Sequence, residues 1–363
     1  MQTALFSQFA AHPSRLGEYR GAATALEFSG TGAEFSALVR GCGVSELGWR
    51  GKFRIFGPDC GRWLNGMVTN NVRDLAEGHG VYNFVLNAQG RIQGDCFVYH
   101  CGDHFLADAD RTQLPALLTL LERYIIMDEV ELADASAEFA AFGVRGPRAR
   151  QALTAAGLGA SLPGPLELRR VALAGVELLC AAVASEPSEA YEIWTAPATA
   201  PGVWSALVEA GAVPAGAEAL EMLRVAAGIP CYGIDIRDRD LPQETGQSQA
   251  LNFAKGCYLG QEIVERIRSR GAVHRSFTGF TVAGPAPTAG AKLYDGDKEA
   301  GEITSICDVP LPGAASKTQT LALGYVRREF AQPGCVLSAG EARLTVSQIP
   351  FPQIFSSELT NGK

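Results

Sequence analysis

The sequence predicts an α/β or α+β protein followed by a small β domain, on the basis of three observations. Strand-like and helix-like segments alternate through about residue 270. From about residue 275 only short strand candidates occur, separated by Gly, Pro and Asp-Gly turns, which is typical of an antiparallel barrel or sandwich. The pattern Gly-Pro-x5-Leu occurs at 57–64 and again at 146–153, each time after a short apolar strand, which indicates two related βαββ-type halves.

Periodicity predicts the individual elements in turn. Residues 52–56 alternate polar and apolar as a strand does, and apolar residues share one face of a helix in 60–68 and again in 114–127. Two further strands are predicted at 81–86 and 92–99, joined by a hairpin turn. The remaining strand candidates are 139–144, 171–180 and 191–195 in the second half, and 277–282, 292–294, 302–306, 321–326, 335–337 and 342–348 in the β domain.

Composition narrows the class of protein. The chain has 363 residues, of which 47% are hydrophobic and 19% charged, so it is core-forming and not disordered throughout. At roughly 100–200 residues per domain, this length predicts two or three domains. Lys and Arg number 31 against 39 Asp and Glu, and the net charge of −8 argues against a general nucleic-acid or anionic-membrane binder.

Cysteine usage and hydropathy predict a cytoplasmic protein without a membrane anchor. The nine cysteines are odd in number and contain no CxxC pair, which argues against a disulfide framework and against a cysteine-based zinc site. Residues 1–15 have no early basic residue before an apolar run, unlike a signal peptide. No apolar run reaches the ~18 residues of a membrane span. Two histidines follow Cys96 closely, but a strand and turn do not place them on one face, so no metal site is predicted.

The segment Lys255-Gly256-Cys257-Tyr258-Leu259-Gly260-Gln261-Glu262 is the most informative part of the sequence. It ends where an amphipathic helix begins, so Cys257 is expected on a glycine-flanked loop just before a helix N-terminus. The helix dipole and nearby Lys255 would favour its thiolate. The alternative is a tight loop in which Cys257 is a small buried hydrophobic residue.

A local excess of positive charge follows this helix, although the chain is acidic overall. Arg266, Arg268, Arg270, His274 and Arg275 lie within ten residues of one another. They could receive the glutamate tail of a ligand or a partner surface, or they could be a solvated helix end favoured by the dipole.

The octapeptide closely resembles the signature of the YgfZ-type folate-binding proteins, which are relatives of the glycine-cleavage T-protein (aminomethyltransferase). Other segments resemble family motifs in the same order along the chain. They are 63–71 ("FL-x-L-x-TND"), 87–95 ("L-N-x-x-G-x-I-x-x-D"), 146–147 ("QGP"), 191–193 ("G-[FYW]-E-[IL]"), 223–228 ("LR-x-E-x-G") and 301–305 ("G-x-[IV]-T-S").

The resemblance implies a fold of two ferredoxin-like halves around a central tunnel that binds folate, with a C-terminal antiparallel β-barrel. We therefore expect domains at 1–140, 141–272 and 273–363. The resemblance also implies tetrahydrofolate, or a one-carbon derivative, as the ligand. Its implied role is assembly or repair of iron–sulfur clusters in client proteins, including tRNA-modifying enzymes, with transient cluster contact and no direct contact with nucleic acid.

The resemblance assigns folate contacts residue by residue. Glu192 matches the glutamate whose carboxylate accepts two hydrogen bonds from the pterin ring. Asn70 and Arg224 are also assigned to the folate site, and Arg224 could pair either with a folate carboxylate or with a neighbouring acid. Asp95 matches an acidic position that is catalytic in aminomethyltransferases, where two adjacent Asp residues are usual. Here Gly94 precedes Asp95, which argues against methylene transfer.

Three functions follow from these residues. The first is a folate-binding accessory factor, not a classical enzyme, in which Cys257 is the essential thiol. The second is a folate-dependent aminomethyltransferase or demethylase. The third is a cysteine-dependent hydrolase or transferase without folate, for which His274 is the only histidine near Cys257 in sequence.

Overall fold

The computed structural model describes residues 1–11, 14–184, 187–271, 273–311 and 317–355. Its helices are α1 (Phe6–Ala10), α2 (Thr31–Arg40), α3 (Cys60–Met67), α4 (Leu114–Glu122), α5 (Ala149–Ala155), α6 (Ala200–Glu209), α7 (Ala217–Ala227), α8 (Gln261–Arg270) and α9 (Pro352–Phe355). Its strands are β1 (Arg15–Tyr19), β2 (Ala22–Glu27), β3 (Gly43–Glu46), β4 (Arg50–Phe56), β5 (Gly80–Leu86), β6 (Ile92–His100), β7 (His104–Asp110), β8 (Glu131–Asp134), β9 (Ala140–Arg145), β10 (Leu168–Leu173), β11 (Val176–Ala182), β12 (Ala190–Thr195), β13 (Val213–Pro214), β14 (Arg275–Ala283), β15 (Lys292–Asp295), β16 (Lys298–Pro310), β17 (Thr318–Arg327), β18 (Val336–Ala339) and β19 (Ala342–Ser347).

The two halves share one topology, as the repeated sequence pattern predicts. The first sheet has the order β5-β6-β7-β4-β8, and the second has the order β10-β11-β12-β9-β3-β13. In both halves a helix follows the first repeat strand and three meandering strands complete the unit. The repeated Gly-Pro turns also agree, since Gly57 and Gly146 have φ of 111° and 121°. A Cβ at either glycine would lie within 2.5 Å of a backbone oxygen, so both positions require glycine.

The two sheets face each other, and helices cover their outer faces. Helices α3 and α4 pack on the first sheet with Phe53, Val98 and Leu117 in the core. Helices α5 and α6 pack on the second sheet through a separate apolar core. Between the sheets, the rings of Tyr99 and Trp194 meet edge to face with centroids 5.4 Å apart. The space enclosed by the two inner faces contains the residues that concern function.

The C-terminal strands close a six-stranded antiparallel barrel in the order β14-β17-β16-β15-β18-β19. All six strands predicted from residue 277 onward are present, and the closed barrel leaves no exposed sheet edge. The barrel packs against helix α7, where Leu220 and Leu223 share a core with Leu323 and Tyr325. The α+β fold with two related halves and a C-terminal β-barrel is therefore confirmed.

Two details of the fold differ from simple expectation. Strand β3, which lies within the expected first domain, pairs with β9 of the second half. The predicted helix over 114–127 ends at Glu122. Beyond it, the Tyr124 carbonyl accepts a hydrogen bond from the Trp63 indole at 3.1 Å. The division at 140 and 272 stays a prediction, and residues 356–363 of the expected last domain lie outside the described residues.

Candidate functional site

Two adjoining cavities lie between the sheets and the segment 229–249. The smaller has a volume of about 130 Å³ and the larger about 360 Å³. They share Tyr82, Phe97 and Gln249 in their walls. The smaller cavity is the polar one, with Arg20, Arg50, Asp95, Asp110 and Arg224 among its lining residues.

Asp95 lines the smaller cavity and is held in place by neutral donors. Its Oδ2 accepts a hydrogen bond from the Tyr82 hydroxyl at 2.6 Å, and its Oδ1 accepts one from Nε2 of Gln113 at 2.7 Å. The amide oxygen of Gln113 in turn accepts the backbone N–H of Asp95 at 2.9 Å. Burial, and then the charge of Asp95, raises the pKa of Tyr82 well above its ordinary value, so Tyr82 remains a hydrogen-bond donor. The carboxylate is thus oriented toward the cavity without a paired cation among the described residues.

Gly94 faces the opposite side of the strand. A Cβ at this position would lie 2.5 Å from Cδ2 of Leu117 and 2.8 Å from the side-chain oxygen of Gln113. Successive residues of a strand point to opposite faces, so a side chain at 94 would enter the core under α4 and not the cavity. The argument from Gly94 against methylene transfer is therefore wrong, because no carboxylate is missing from the cavity.

Asn70 lines the larger cavity, as a folate contact would. Its side-chain amide donates hydrogen bonds to the backbone oxygens of Tyr82 at 3.2 Å and Gln249 at 2.8 Å. Both donors of this amide are therefore used to join strand β5 to the segment near 249. Asn70 shapes the wall of the cavity.

The ammonium group of Lys255 binds the backbone that forms this cavity wall. Its hydrogen bonds do not include the thiol of Cys257. Its ammonium group donates hydrogen bonds to the backbone oxygens of Asn65, Val68 and Asn70, at 2.6, 2.7 and 2.5 Å. These three bonds use all three ammonium hydrogens, and the C-terminal end of α3 favours a positive charge. Burial acts in the other direction and lowers the pKa of Lys255 to about 7. The predicted effect of the Lys255 charge on the Cys257 thiolate stays a prediction.

Cys257 lies on an exposed loop that precedes helix α8, as the sequence predicts. Its neighbours in the motif anchor this loop. Tyr258 is buried against Leu86 and Ile92, and a Cβ at Gly260 would lie 2.5 Å from the Asn87 oxygen. The rest of the motif lies around these anchors: Gly256 has open space beside it, Gln261 accepts the Tyr258 N–H at 3.3 Å, and Glu262 is exposed.

The accessibility of Cys257 distinguishes it from the other eight cysteines, all of which lie within the described residues. These eight are buried or half-buried. Burial raises the pKa of Cys42 and Cys101 to about 11, and that of Cys180 and Cys231 to about 12. Cys257 is therefore the thiol most accessible to a partner or reagent, and the alternative of a buried structural cysteine is wrong.

Arg224 is fully occupied by protein acceptors. Its Nε and Nη2 donate to the carboxylate of Glu221 at 3.0 and 2.5 Å, and Nη2 also donates to the Ser305 hydroxyl at 2.7 Å. Its Nη1 donates to the Ile229 oxygen at 2.8 Å and to Oδ2 of Asp235 at 2.6 Å. These bonds use all five N–H groups of the guanidinium. Of the two predicted roles, pairing with neighbouring acids is the one observed, and Arg224 joins helix α7 to the barrel.

Glu192 lies between the sheets on strand β12, outside the walls of both cavities. Its Oε2 accepts a hydrogen bond from the Trp194 indole at 3.0 Å, and its Oε1 lies 3.5 Å from Nη2 of Arg145. Its charge also acts on Arg50, which lines the smaller cavity. Each carboxylate oxygen retains acceptor capacity beyond these contacts. The assignment of Glu192 to the pterin ring stays a prediction.

Sequence reasoning missed the basic residues that lie between the sheets and near the smaller cavity. Arg50 and Lys52 both bind the carboxylate of Asp108 between the sheets, and Lys52 lies 4.3 Å from the centre of the Trp194 ring. The sequence pattern does indicate Arg50 and Lys52, because they lie on one face of a strand whose other face is apolar. No local signal marks Arg20, whose position depends on how the β1–β2 hairpin packs.

Neither a metal-binding cluster nor a membrane-spanning helix occurs among the described residues. Among the described residues, no group of three or more His, Cys, Asp or Glu side chains is arranged to hold a metal ion. In the same part of the chain, no helix is both long and apolar enough to span a bilayer.

Comparison with known proteins identifies the family. The family model described as "GCVT N-terminal domain" matches residues 4–255. The aminomethyltransferase of Rubrobacter xylanophilus is 28% identical over 354 residues, which cover 97% of this chain and 93% of the relative. The aminomethyltransferase of Thermus thermophilus is 28% identical over 345 residues, covering 93% and 95% of the two chains.

Comparison with solved structures gives a consistent result for the fold. The crystal structure of glycine cleavage system aminomethyltransferase T from Bartonella henselae superposes with a TM-score of 0.85 at 20% identity, and covers 97% of this chain and 98% of that one. This likeness shows the same fold, with two halves and a C-terminal barrel, over the part of the chain that is matched. The chain therefore belongs to the GCVT N-terminal domain family.

Proposed function

We propose that this protein binds tetrahydrofolate in the larger of the two adjoining cavities and catalyses an aminomethyltransferase-like one-carbon transfer at Asp95 in the smaller one. The observation that carries the proposal is the carboxylate of Asp95, which is held at the cavity by Tyr82 and Gln113. No ion pair neutralises it among the described residues. An aminomethyl group carries an ammonium, which such a carboxylate can bind and orient. The names of the relatives support the same chemistry.

The cavity walls fit a folate in chemical character. Tyr82 and Phe97 offer aromatic surface to a planar ring, with ring centroids 5.0 Å apart. Gln249 supplies an amide group to the same space, and Asn70, whose amide donors are bound by the protein, shapes its wall. Bound folate would supply the nitrogen atoms that accept the one-carbon group. The chain supplies the shape, the orientation and the negative charge of Asp95.

Calorimetric titration with tetrahydrofolate tests the binding proposal. The family resemblance assigns Glu192 to the pterin ring, although Glu192 lies beyond the walls of both cavities. Under this assignment, we expect Glu192→Gln to weaken binding by about 1–3 kcal/mol, because it removes a charge-assisted hydrogen-bond pair. Glu189→Gln is the matched control, since Glu189 is half-exposed and pairs with Arg150 at the outer end of the same sheet. Unchanged affinity in Glu192→Gln would remove Glu192 from the site. No binding by the wild type would overturn the proposal itself.

A second function is favoured by a separate observation, the exposure of Cys257. The octapeptide resembles the YgfZ-type signature, and its cysteine is the accessible thiol of the chain. We propose as the alternative that the protein, with folate bound, supports iron–sulfur client proteins in the cytoplasm through this thiol.

The variant Cys257→Ser separates the two functions. We expect it to leave tetrahydrofolate affinity unchanged, because Cys257 lies in the wall of neither cavity. Under the alternative function, it abolishes the support of iron–sulfur enzymes in cells that lack the native protein. Cys335→Ser, a half-buried cysteine of the barrel, is the control. Client activity equal to wild type in Cys257→Ser cells would rule out the alternative.

A further inference from the structure

The smaller cavity contains a cation that the proposed folate site does not explain. Arg20 occupies the turn between β1 and β2 with φ of 48°, a left-handed conformation that is uncommon outside glycine. Its side chain lines the cavity together with Asp95. One guanidinium edge is paired, with Nη1 3.3 Å from Asp110 and Nη2 3.6 Å from Glu221. The ion pairs with Asp110 and Glu221 thus hold the Arg20 side chain at the cavity wall.

The Nε–H of Arg20 has no acceptor. This nitrogen is buried and makes no hydrogen bond within the described part of the chain. A buried donor without an acceptor costs about 1–3 kcal/mol, so such groups usually have a partner in the functional state. A ligand in the cavity would instead meet Nη2 of Arg20, which lies 3.6 Å from Glu221 and makes no hydrogen bond to a described residue.

Arg50 presents a second incomplete guanidinium to the same cavity. Its Nε and Nη2 bind Asp108, while Nη1 makes no hydrogen bond to any described residue. Arg224 also lines the cavity, but its five N–H groups are all used. The cavity therefore has two cationic groups with donors to spare, Arg20 and Arg50, and one carboxylate without a cation, Asp95.

The size of the smaller cavity limits which molecules can contact both its arginines and the carboxylate of Asp95. Its volume of about 130 Å³ holds roughly four or five non-hydrogen atoms, at about 30 Å³ for each water-sized group. A carboxylate and an ammonium joined by one carbon atom have this size. The two signs of charge in so small a space exclude a purely apolar group.

We propose that the smaller cavity is a binding site for a small amino-acid zwitterion. Its carboxylate accepts hydrogen bonds from Arg20 and Arg50, and its ammonium pairs with Asp95. This inference rests on the proposed function in one respect, since it names the chemical class of the molecule that shares the site with folate. It requires no folate for binding, so the two can fail separately.

Calorimetric titration of the folate-free protein with three probes tests the proposal. Glycine carries both charges, glycinamide lacks the carboxylate, and acetate lacks the ammonium. We expect glycine to bind at least about tenfold more tightly than either analogue, because each analogue leaves one buried charged group without a partner. Equal affinity for the three probes, or no binding of glycine, would overturn the proposal, whatever the protein's affinity for tetrahydrofolate.

The variant Arg20→Gln tests the assignment of the carboxylate. We expect it to weaken glycine binding about tenfold or more while leaving glycinamide affinity unchanged. Arg54→Gln is the control, because it removes the same charge from an exposed pair with Glu138 on the first sheet. It should change neither the glycine affinity nor the glycinamide affinity. Equal loss for glycine and glycinamide in Arg20→Gln would contradict the assignment. Arg20→Lys, which keeps the charge and the pairing with Asp110, serves if Arg20→Gln does not fold.

Discussion

Replacement of Arg224 by Met is expected to lower the free energy of unfolding by about 3–5 kcal/mol, the cost typical of breaking a buried ion pair by removing one partner. Asp235 is fully buried, and one of its oxygens accepts from Arg224 at 2.6 Å. Its other oxygen accepts from Ser305 at 2.7 Å and from Thr304, both on barrel strand β16. Without Arg224, a buried carboxylate and the Ile229 carbonyl lose their cationic partner, and the contact between α7 and the barrel weakens.

Urea denaturation of Arg224→Met measures this loss. Arg343→Met, on an exposed position of the barrel, is the matched control and should change stability by less than about 0.5 kcal/mol. A loss below about 1 kcal/mol for Arg224→Met would show that the cluster of Glu221, Arg224 and Asp235 does not hold the barrel in place.

The same cluster predicts a dependence on pH. Burial alone would raise the pKa of Glu221, but the charge and hydrogen bonds of Arg224 lower it to about 2. Because this folded-state value lies below the ordinary value of 4.5, Glu221 contributes stability above that pH and loses it as pH falls toward 2. The contribution should be smaller in the pH profile of Arg224→Met, where only Tyr19 and Arg20 still act on Glu221.

Replacement of Asp95 by Asn is expected to lower the rate of one-carbon transfer by about a hundredfold or more, which is the usual contribution of a positioned acid or base. Asn keeps the size of the side chain, and the Tyr82 hydroxyl and Gln113 amide can bind it as well. The protein should therefore fold normally while the negative charge at the cavity is lost. The measurement is the rate of methylene-tetrahydrofolate formation from an aminomethyl donor.

Asp103→Asn provides the control for this experiment. Asp103 is almost fully exposed and contacts His104 at the far end of the first sheet, so its loss should leave the rate unchanged. A rate for Asp95→Asn within twofold of wild type would show that the carboxylate is not catalytic. Absence of transfer in the wild type would contradict the first proposed function and leave the one based on Cys257.

The sequence by itself determined the elements whose signals are local. The repeated Gly-Pro turns, the alternating strands of the barrel and the helix after Cys257 each depend on residues within a few positions of one another. Gly57 and Gly146 have positive φ at their own turns, so the repeat could be read without tertiary information. The family motifs drew attention to Asp95, which lines the smaller cavity.

The tertiary structure decided which faces and partners these residues have. Lys255 binds carbonyl groups as far as 190 positions away, and Arg224 binds Ser305 across 81 positions. Neither partner could be read from the sequence around the two residues. Gly94 and Asp95 are adjacent in sequence but face opposite sides of a strand, so only the packing of α4 shows that Gly94 is outside the cavity. Periodicity reports which residues share a face, whereas the charges that a face meets depend on how distant segments pack, because burial and pairing are properties of the folded chain.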